Sequence, residues 1–151
     1  MADIVLINPR FEVSYWGMEY ALPFLGKRAN LPVTSLTLLA ALTPGEHTIT
    51  LIDENVEAID FERCARADIV GVTGLSVQRF RMKEILTELK RRGKFTVVGG
   101  PWISVQEDYF ERLADVRGGD ADVLRRLPAR RGQRGLPWGG ERPLGEACPP
   151  G

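Results

Sequence analysis

Histidine and cysteine are scarce in this sequence of 151 residues, which contains one histidine and two cysteines. His47 stands just before a predicted strand rather than after one, so we expect it to be a solvated turn residue. The sequence therefore predicts neither a Ser-His-Asp triad nor a histidine-based zinc site. Cys64 and Cys148 lie far apart and follow no export signal. This argues against a disulfide or a cysteine-based metal site.

Net charge and long apolar runs are also lacking. Twenty basic and twenty acidic residues cancel, so no overall field attracts nucleic acid or anionic lipid, and we expect no nucleic-acid partner. The apolar run at residues 4–7 is too short for a signal peptide or a membrane span. We therefore expect a cytoplasmic protein without a membrane span. Its length and its 44% hydrophobic content suffice for one folded domain.

The composition changes abruptly at residue 116. Residues 116–151 are rich in arginine, glycine and proline and contain no lysine, isoleucine, phenylalanine, tyrosine, serine or threonine. Such a segment cannot bury enough apolar surface to offset its ordering entropy, so we expect a domain at 1–115 and a disordered tail. Two alternatives stay open: a basic nucleic-acid-binding tail, for which Trp138 is the only stacking aromatic, and a GC-rich gene read out of frame.

Residues 1–115 alternate between strand and helix patterns. Four short apolar runs, each ending at a polar or glycine turn, predict buried parallel strands at residues 4–7, 48–52, 69–72 and 95–98. Helical spacing or capping signals predict helices at residues 34–42, 60–66, 82–89 and 104–113. Asp60 can cap the second of these helices, and Ser104-Val105-Gln106-Glu107 has the pattern of a capping box that opens the fourth. We therefore predict an α/β fold, a doubly wound parallel sheet of the Rossmann-like or flavodoxin-like kind. A fifth strand begins at Ala114-Asp115-Val116 but runs at once into Arg117-Gly118-Gly119, so we expect four clear strands and a missing fifth edge strand.

Two strand-end loops carry candidate ligand-binding groups. Ligands of open α/β sheets lie beyond the carboxyl ends of the strands, which selects residues 73–78 and 99–104. Loop 73–78 offers a ligand two hydroxyls, a carboxamide and the N-terminal amides of the following helix. In the alternative interpretation, Ser76 merely caps that helix and Thr73 bonds to the backbone. In the second, a glycine pair permits close approach of a ligand, although a tight turn alone would also use it.

The first loop, residues 8–32, is unusually long for a compact domain and is rich in aromatic side chains. It is typical of a lid or a binding loop, but the aromatics could instead pin the loop to the sheet or face a partner domain. No G-x-G-x-x-G follows the first strand, and Gly26-Lys27-Arg28 lacks the spacing of a P-loop.

Six short motifs occur in a specific order: Ile7-Asn8-Pro9-Arg10, Trp16-Gly17, Gly26-Lys27-Arg28-Ala29, Leu51-Ile52-Asp53-Glu54-Asn55, Gly71-Val72-Thr73-Gly74-Leu75-Ser76-Val77-Gln78 and Val97-Val98-Gly99-Gly100-Pro101. Together they resemble the N-terminal cobalamin-binding domain of cobalamin-dependent radical S-adenosylmethionine proteins, in particular the subgroup that includes hopanoid-modifying enzymes. The resemblance covers essentially residues 3–115.

This resemblance implies a set of cofactor-binding residues at the two loops: Thr73, Gly74, Ser76, Val77, Gly99 and Gly100 around the nucleotide tail, with Gln78, Pro101 and Ser104 nearby. Many cobalamin domains place a cobalt-ligating histidine after the first strand. Here that loop has none, so the resemblance implies that cobalamin binds without a histidine of this chain. Tyr15 and Trp16 are candidates for facing the cobalt.

The radical domain of that family holds an iron–sulfur cluster with Cys-x-x-x-Cys-x-x-Cys, which two distant cysteines cannot supply. We therefore expect no iron–sulfur cluster and no catalytic residue here. The chain would be a truncated, cofactor-carrying portion of a methyltransferase-like enzyme whose partner is a radical S-adenosylmethionine domain. One rival is a non-catalytic interaction or scaffold domain with the same fold that no longer binds a cofactor, which a missing fifth strand would favour because it could open the crevice. The other rival is a nucleotide- or flavin-binding enzyme. The latter lacks any phosphate or acid/base signature.

Overall fold

The computed structural model describes residues 1–15, 17–30 and 33–117; Trp16 and the predicted tail beyond Arg117 lie outside the described residues. Five strands pair in parallel in the order β2-β1-β3-β4-β5. The strands are β1 (Asp3–Asn8), β2 (Thr48–Asp53), β3 (Ile69–Thr73), β4 (Thr96–Gly99) and β5 (Val116–Arg117).

The strand order defines where the sheet changes direction. From β1 the chain moves outward to β2, then crosses back to form β3 on the other side of β1. This confirms the predicted doubly wound parallel sheet. Of the two predicted types, Rossmann-like and flavodoxin-like, the strand order is that of the flavodoxin-like sheet. The switch point between β1 and β3 is where such sheets leave a crevice for a ligand.

The expected absence of a fifth strand is wrong. Val116 pairs with Val97 of β4, and Arg117 pairs with Val98. Just before β5, the carboxylate of Asp115 accepts hydrogen bonds from the backbone N–H of Thr96 at 2.7 Å and from its hydroxyl at 3.1 Å. This polar anchor positions a strand that is too short to give an apolar pattern.

Four α-helices follow the strands: α1 (Thr34–Leu42), α2 (Phe61–Arg66), α3 (Arg79–Arg91) and α4 (Pro101–Val105). Short 3-10 helices cover Leu22–Leu25, Ser76–Gln78 and Glu107–Phe110. The predicted cap of α2 is confirmed, because the Asp60 carboxylate accepts the N–H of Arg63 at 2.9 Å. Gly93, which follows α3, has a φ of +66°, as expected for a residue that ends a helix.

The helix predicted to open at Ser104 begins earlier, at Pro101. Proline suits the first turn of a helix because its missing N–H would have no intrahelical partner there. Ser104 is therefore inside α4, where its hydroxyl donates to the carbonyl of Gly100 at 3.3 Å, and the predicted capping box is wrong. The chain continues in a 3-10 turn that still buries Phe110 completely.

The core lies between the sheet and its flanking helices, and α3 contributes the most residues of any helix. Four apolar residues of α3 fall on one stripe at helical spacing and are fully buried: Met82, Ile85, Leu86 and Leu89. They join the valines and isoleucines of β1, β3 and β4 in one cluster. Each such side chain contributes about 1.5–3 kcal/mol, so the strand ends that carry the loops rest on a rigid base. Among the described residues, no helix combines the length and apolar character needed to span a bilayer.

Candidate cofactor site at the carboxyl edge of the sheet

The loops after β3 and β4 pack directly against each other. Thr73 pairs with Gly99 at the ends of the strands, and the N–H of Trp102 donates to the carbonyl of Gly74 at 3.3 Å. Gly100 has a φ of +96°, and a Cβ there would lie 2.4 Å from the Thr73 hydroxyl and 3.0 Å from the Gly74 nitrogen. Only glycine permits this approach, which brings the two predicted loops together.

The predicted site residues divide into two layers. Four are buried and form the contact between the loops: Thr73, Gly74, Gln78 and Gly100. Five are exposed or half-buried and form the outer surface of the same loops: Ser76, Val77, Gly99, Pro101 and Ser104. The buried layer fixes the geometry, whereas the outer layer is the part that a ligand can contact.

Ser76 is exposed, and the alternative in which it caps the helix is wrong. The N-cap residue of the 3-10 turn at Ser76–Gln78 is Leu75 and that of α3 is Gln78, and neither side chain accepts an N–H of the helix that it precedes. The adjacent Arg79, which no motif of the sequence singles out, also belongs to the outer layer. Its guanidinium donates to the Ser76 carbonyl at 2.7 Å and lies 4.2 Å from the centroid of the Phe80 ring. This cation gives the outer layer a group suited to phosphate.

Gln78 is engaged within the protein. Its side chain is almost fully buried, and its carbonyl oxygen accepts the N–H of Leu75 at 2.8 Å. Its amide nitrogen donates to the Asn8 side-chain oxygen at 3.0 Å and to the Pro9 carbonyl. The carboxamide therefore bonds to its own loop, 73–78, through its oxygen and to the end of β1 through its nitrogen.

A second polar cluster joins the ends of β1 and β2. One carboxylate oxygen of Asp53 accepts the side-chain amides of Asn8 at 2.9 Å and Asn55 at 2.7 Å, together with the Asn55 backbone N–H at 3.0 Å. The Asn55 side-chain oxygen accepts the N–H of Phe11 at 3.0 Å. Within the described ranges, no group of three or more histidine, cysteine or acidic side chains is placed to hold a metal ion.

Glu54 and Arg81 form a partly buried ion pair next to this cluster. The Arg81 Nε lies 2.9 Å from one Glu54 oxygen and 3.0 Å from the other, and the Arg10 N–H donates to the carboxylate at 3.0 Å. Burial opposes ionisation of Glu54, but the hydrogen bonds from Arg81 and Arg10 outweigh it, so the pKa of this carboxyl lies below its usual value. The ionised carboxylate thus holds the start of the first loop.

His47 lies at the opposite edge of the sheet. Its Nδ1 accepts the N–H of Ala2 at 3.1 Å, beside the amino end of β1. With a side chain 16% exposed it is more buried than a solvated turn residue. β1 separates it from the candidate site by about 20 Å, given the rise per residue of a strand, so this imidazole does not reach the site.

The first loop presents apolar side chains to solvent. Tyr15 is 85% exposed, Tyr20 79% and Phe24 91%, whereas Leu22 is buried and anchors the 3-10 turn. The alternative in which the aromatics pin the loop to the sheet is therefore wrong for Tyr20 and Phe24. A binding surface or a contact with a partner domain stays open.

Comparison with known proteins gives three relatives. The chain is 32% identical over 120 residues to an uncharacterised methyltransferase of Synechocystis sp., a match that covers 80% of this chain and 21% of the relative. It is 30% identical over 108 residues to the hopanoid C-2 methylase of Rhodopseudomonas palustris (71% and 20%). It is 36% identical over 92 residues to the bacteriochlorophyllide d C-8(2)-methyltransferase of Chlorobaculum tepidum (60% and 20%).

These homologues are all methylating enzymes, in agreement with the methyltransferase-like part of the prediction. The chain spans about a fifth of the length of the curated relatives it matches. No protein-family model matches the chain. No solved structure matches it either.

Proposed function

We propose that this protein binds cobalamin at the outer layer of loops 73–78 and 99–104, and that it forms the cofactor-holding part of a cobalamin-dependent radical S-adenosylmethionine methyltransferase. The observation that carries the proposal is the direct contact of the two loops at Gly100, which makes them one surface. That surface stands at the carboxyl edge of the sheet, where open α/β folds bind their ligands.

The residue types of the outer layer fit the nucleotide tail of cobalamin. A benzimidazole is flat and largely apolar, which suits the hydrocarbon surfaces of Val77 and Pro101. The tail phosphate suits the hydroxyl of Ser76 and the cation of Arg79. The indole N–H of Trp102 is buried without an acceptor among the described residues, and an acceptor-rich ligand would satisfy it.

Cobalamin, when bound, supplies a cobalt centre that carries a methyl group. The residues of this chain would bind and orient it. Because His47 stands at the far edge of the sheet, the cobalt would receive no imidazole from this chain. Tyr15, on the exposed first loop, remains a candidate for the cobalt-facing side, and Trp16 lies outside the described residues.

Methyl transfer itself would require a radical domain with three cluster cysteines, and this sequence holds two widely separated ones. We infer that a radical S-adenosylmethionine domain is the partner of the cobalamin surface. The names of the three relatives support the methyltransferase setting. The rival scaffold function depended on a missing fifth strand, and the presence of β5 removes that observation.

The test is a titration of the 151-residue chain with hydroxocobalamin, followed by visible spectra and equilibrium dialysis. We expect saturable one-to-one binding. Val77→Glu places a charge in the outer layer and is expected to weaken binding by about tenfold or more. Thr87→Glu is the matched control, because threonine has nearly the same shape as valine and Thr87 is exposed on α3, about 15 Å further along the helix. This variant should leave the affinity for hydroxocobalamin unchanged.

Flavin mononucleotide and ATP are titrated in parallel. Preference for either over hydroxocobalamin would assign the site to a nucleotide and overturn the proposal. Absence of hydroxocobalamin binding into the high micromolar range would also overturn it, as would equal weakening by the two glutamate variants.

A further inference from the structure

Side chains from two other loops hold the beginning of the first loop. The Phe11 N–H donates to the Asn55 side chain, and the Arg10 N–H donates to Glu54, each at 3.0 Å. The Pro9 carbonyl accepts from the Gln78 amide. Three consecutive residues therefore each have a backbone polar group bonded to a side chain more than forty positions away in sequence. Loop backbones more often bond to water or to local turns.

Gln78 is the member of this set that belongs to loop 73–78. The carboxamide that binds Pro9 and Asn8 also accepts the N–H of Leu75, so a single side chain connects loop 73–78 to the first loop. It is 1% exposed, and Asn8 is 3% exposed. Buried amides with all partners in place hold one geometry, because a broken bond would leave a polar group without water.

An amide is chemically suited to this position. Its oxygen must accept from a backbone N–H while its nitrogen donates to two oxygens, those of Asn8 and Pro9. Glutamate keeps the acceptor but replaces the donor with a second oxygen, which would face both acceptors. The local requirement is therefore for a neutral group that donates and accepts at once.

We propose that Gln78 is a positioning residue that couples the first loop to loop 73–78, so that both take up one fixed arrangement across the switch point between β1 and β3. Its consequence for the ligand rests on the proposed function: loop 73–78 holds the nucleotide tail, and the coupled first loop is held against the corrin ring. Gln78 acts through its neighbours and does not itself contact the ligand.

The first test needs no ligand. In Gln78→Glu, amide hydrogen exchange is expected to accelerate at least about tenfold at Arg10 and Phe11, whose acceptors are untouched by the change, while Leu75 keeps its protection. The control is Gln106→Glu, the same substitution at an exposed glutamine. Unchanged exchange at both first-loop amides would overturn the coupling.

A second variant covers the case in which Gln78→Glu does not fold. Asn55→Ala removes the acceptor of the Phe11 N–H in the first loop. Since coupling is reciprocal, this variant should also accelerate exchange of the Leu75 amide, which lies in the other loop. Faster exchange at Phe11 alone would show that the loops move independently and would overturn the proposal.

The ligand arm compares hydroxocobalamin with cobinamide, a corrinoid without the nucleotide tail. A displaced first loop weakens contact with the ring, which both ligands share, so Gln78→Glu should weaken both by a similar factor of about ten. A loss confined to hydroxocobalamin would make Gln78 a contact of the tail and overturn its positioning role. If the unmodified chain binds neither corrinoid, the proposed function fails, and the exchange experiment still decides the coupling.

Discussion

Substitution of Gly100 by alanine tests the loop contact that defines the candidate site. Gly100 has φ +96° and ψ 175°, a conformation that only glycine adopts without strain. The strain amounts to roughly 1–3 kcal/mol. The new Cβ would also lie 2.4 Å from the Thr73 hydroxyl and within 3.2 Å of the Gly74 backbone, which has no room to move. Such overpacking typically costs about 1–3 kcal/mol more.

Two other glycines separate these contributions. Gly93 has a φ of +66°, and a Cβ there would meet no described atom within 4 Å, so Gly93→Ala should cost only the backbone strain, about 1–2 kcal/mol. Gly45 lacks a positive φ, and a Cβ there would likewise stand more than 4 Å from the described part of the chain. Gly45→Ala should therefore be neutral or stabilise the fold by about 0.5 kcal/mol.

Urea unfolding of the three variants, followed by circular dichroism at pH 7, measures the free energies of unfolding. We expect Gly100→Ala to be the least stable by a clear margin, with a Tm lowered by about 10 °C or more in a parallel melt. The reasoning is refuted if Gly100→Ala and Gly93→Ala lose the same stability, since the contact with Thr73 and Gly74 would then contribute nothing.

Three further predictions concern single groups. Hydrogen bonding outweighs burial and lowers the pKa of Glu54, so the ion pair stabilises the fold fully above the usual glutamate pKa of 4.5. This contribution is lost as the pH falls through the lowered pKa. Glu54→Gln should therefore flatten the dependence of the urea midpoint on pH below about 5. Asp60→Ala removes the N-cap acceptor of α2 and should cost about 1 kcal/mol in the same assay, whereas an unchanged midpoint would contradict the capping role. Burial raises the pKa of the Cys64 thiol, so in a Cys148→Ser variant a thiol reagent should react slowly in buffer and fast in urea; equal rates would contradict its burial.

The parts of the fold that could be predicted from the sequence are those with a local pattern. The apolar stripe of α3 and the continuous runs of β1 and β3 each lie within one short segment, and the structure confirms them. β5 was missed because it is two residues long and depends on the bond between Asp115 and Thr96, which are far apart in sequence. The Ser104 capping signal failed because Pro101 starts the helix three residues earlier.

The candidate site divides in the same way. That the loops after β3 and β4 would meet followed from the rule for parallel sheets, and the structure brings them together. The engagement of Gln78 with Asn8 joins residues seventy positions apart, and no local signal reveals it. The exposure of Tyr20 and Phe24 was equally hidden, because an aromatic side chain in a long loop gives the same pattern whether it packs inward or outward.

The central claim is that loops 73–78 and 99–104 bind cobalamin, and backbone amide chemical-shift mapping with diamagnetic hydroxocobalamin tests it most directly. The account predicts saturable shifts concentrated at Ser76, Val77, Gly99 and Trp102, with little change at the opposite edge around His47. Shifts centred on another surface, or none at saturating concentrations of hydroxocobalamin, would contradict it.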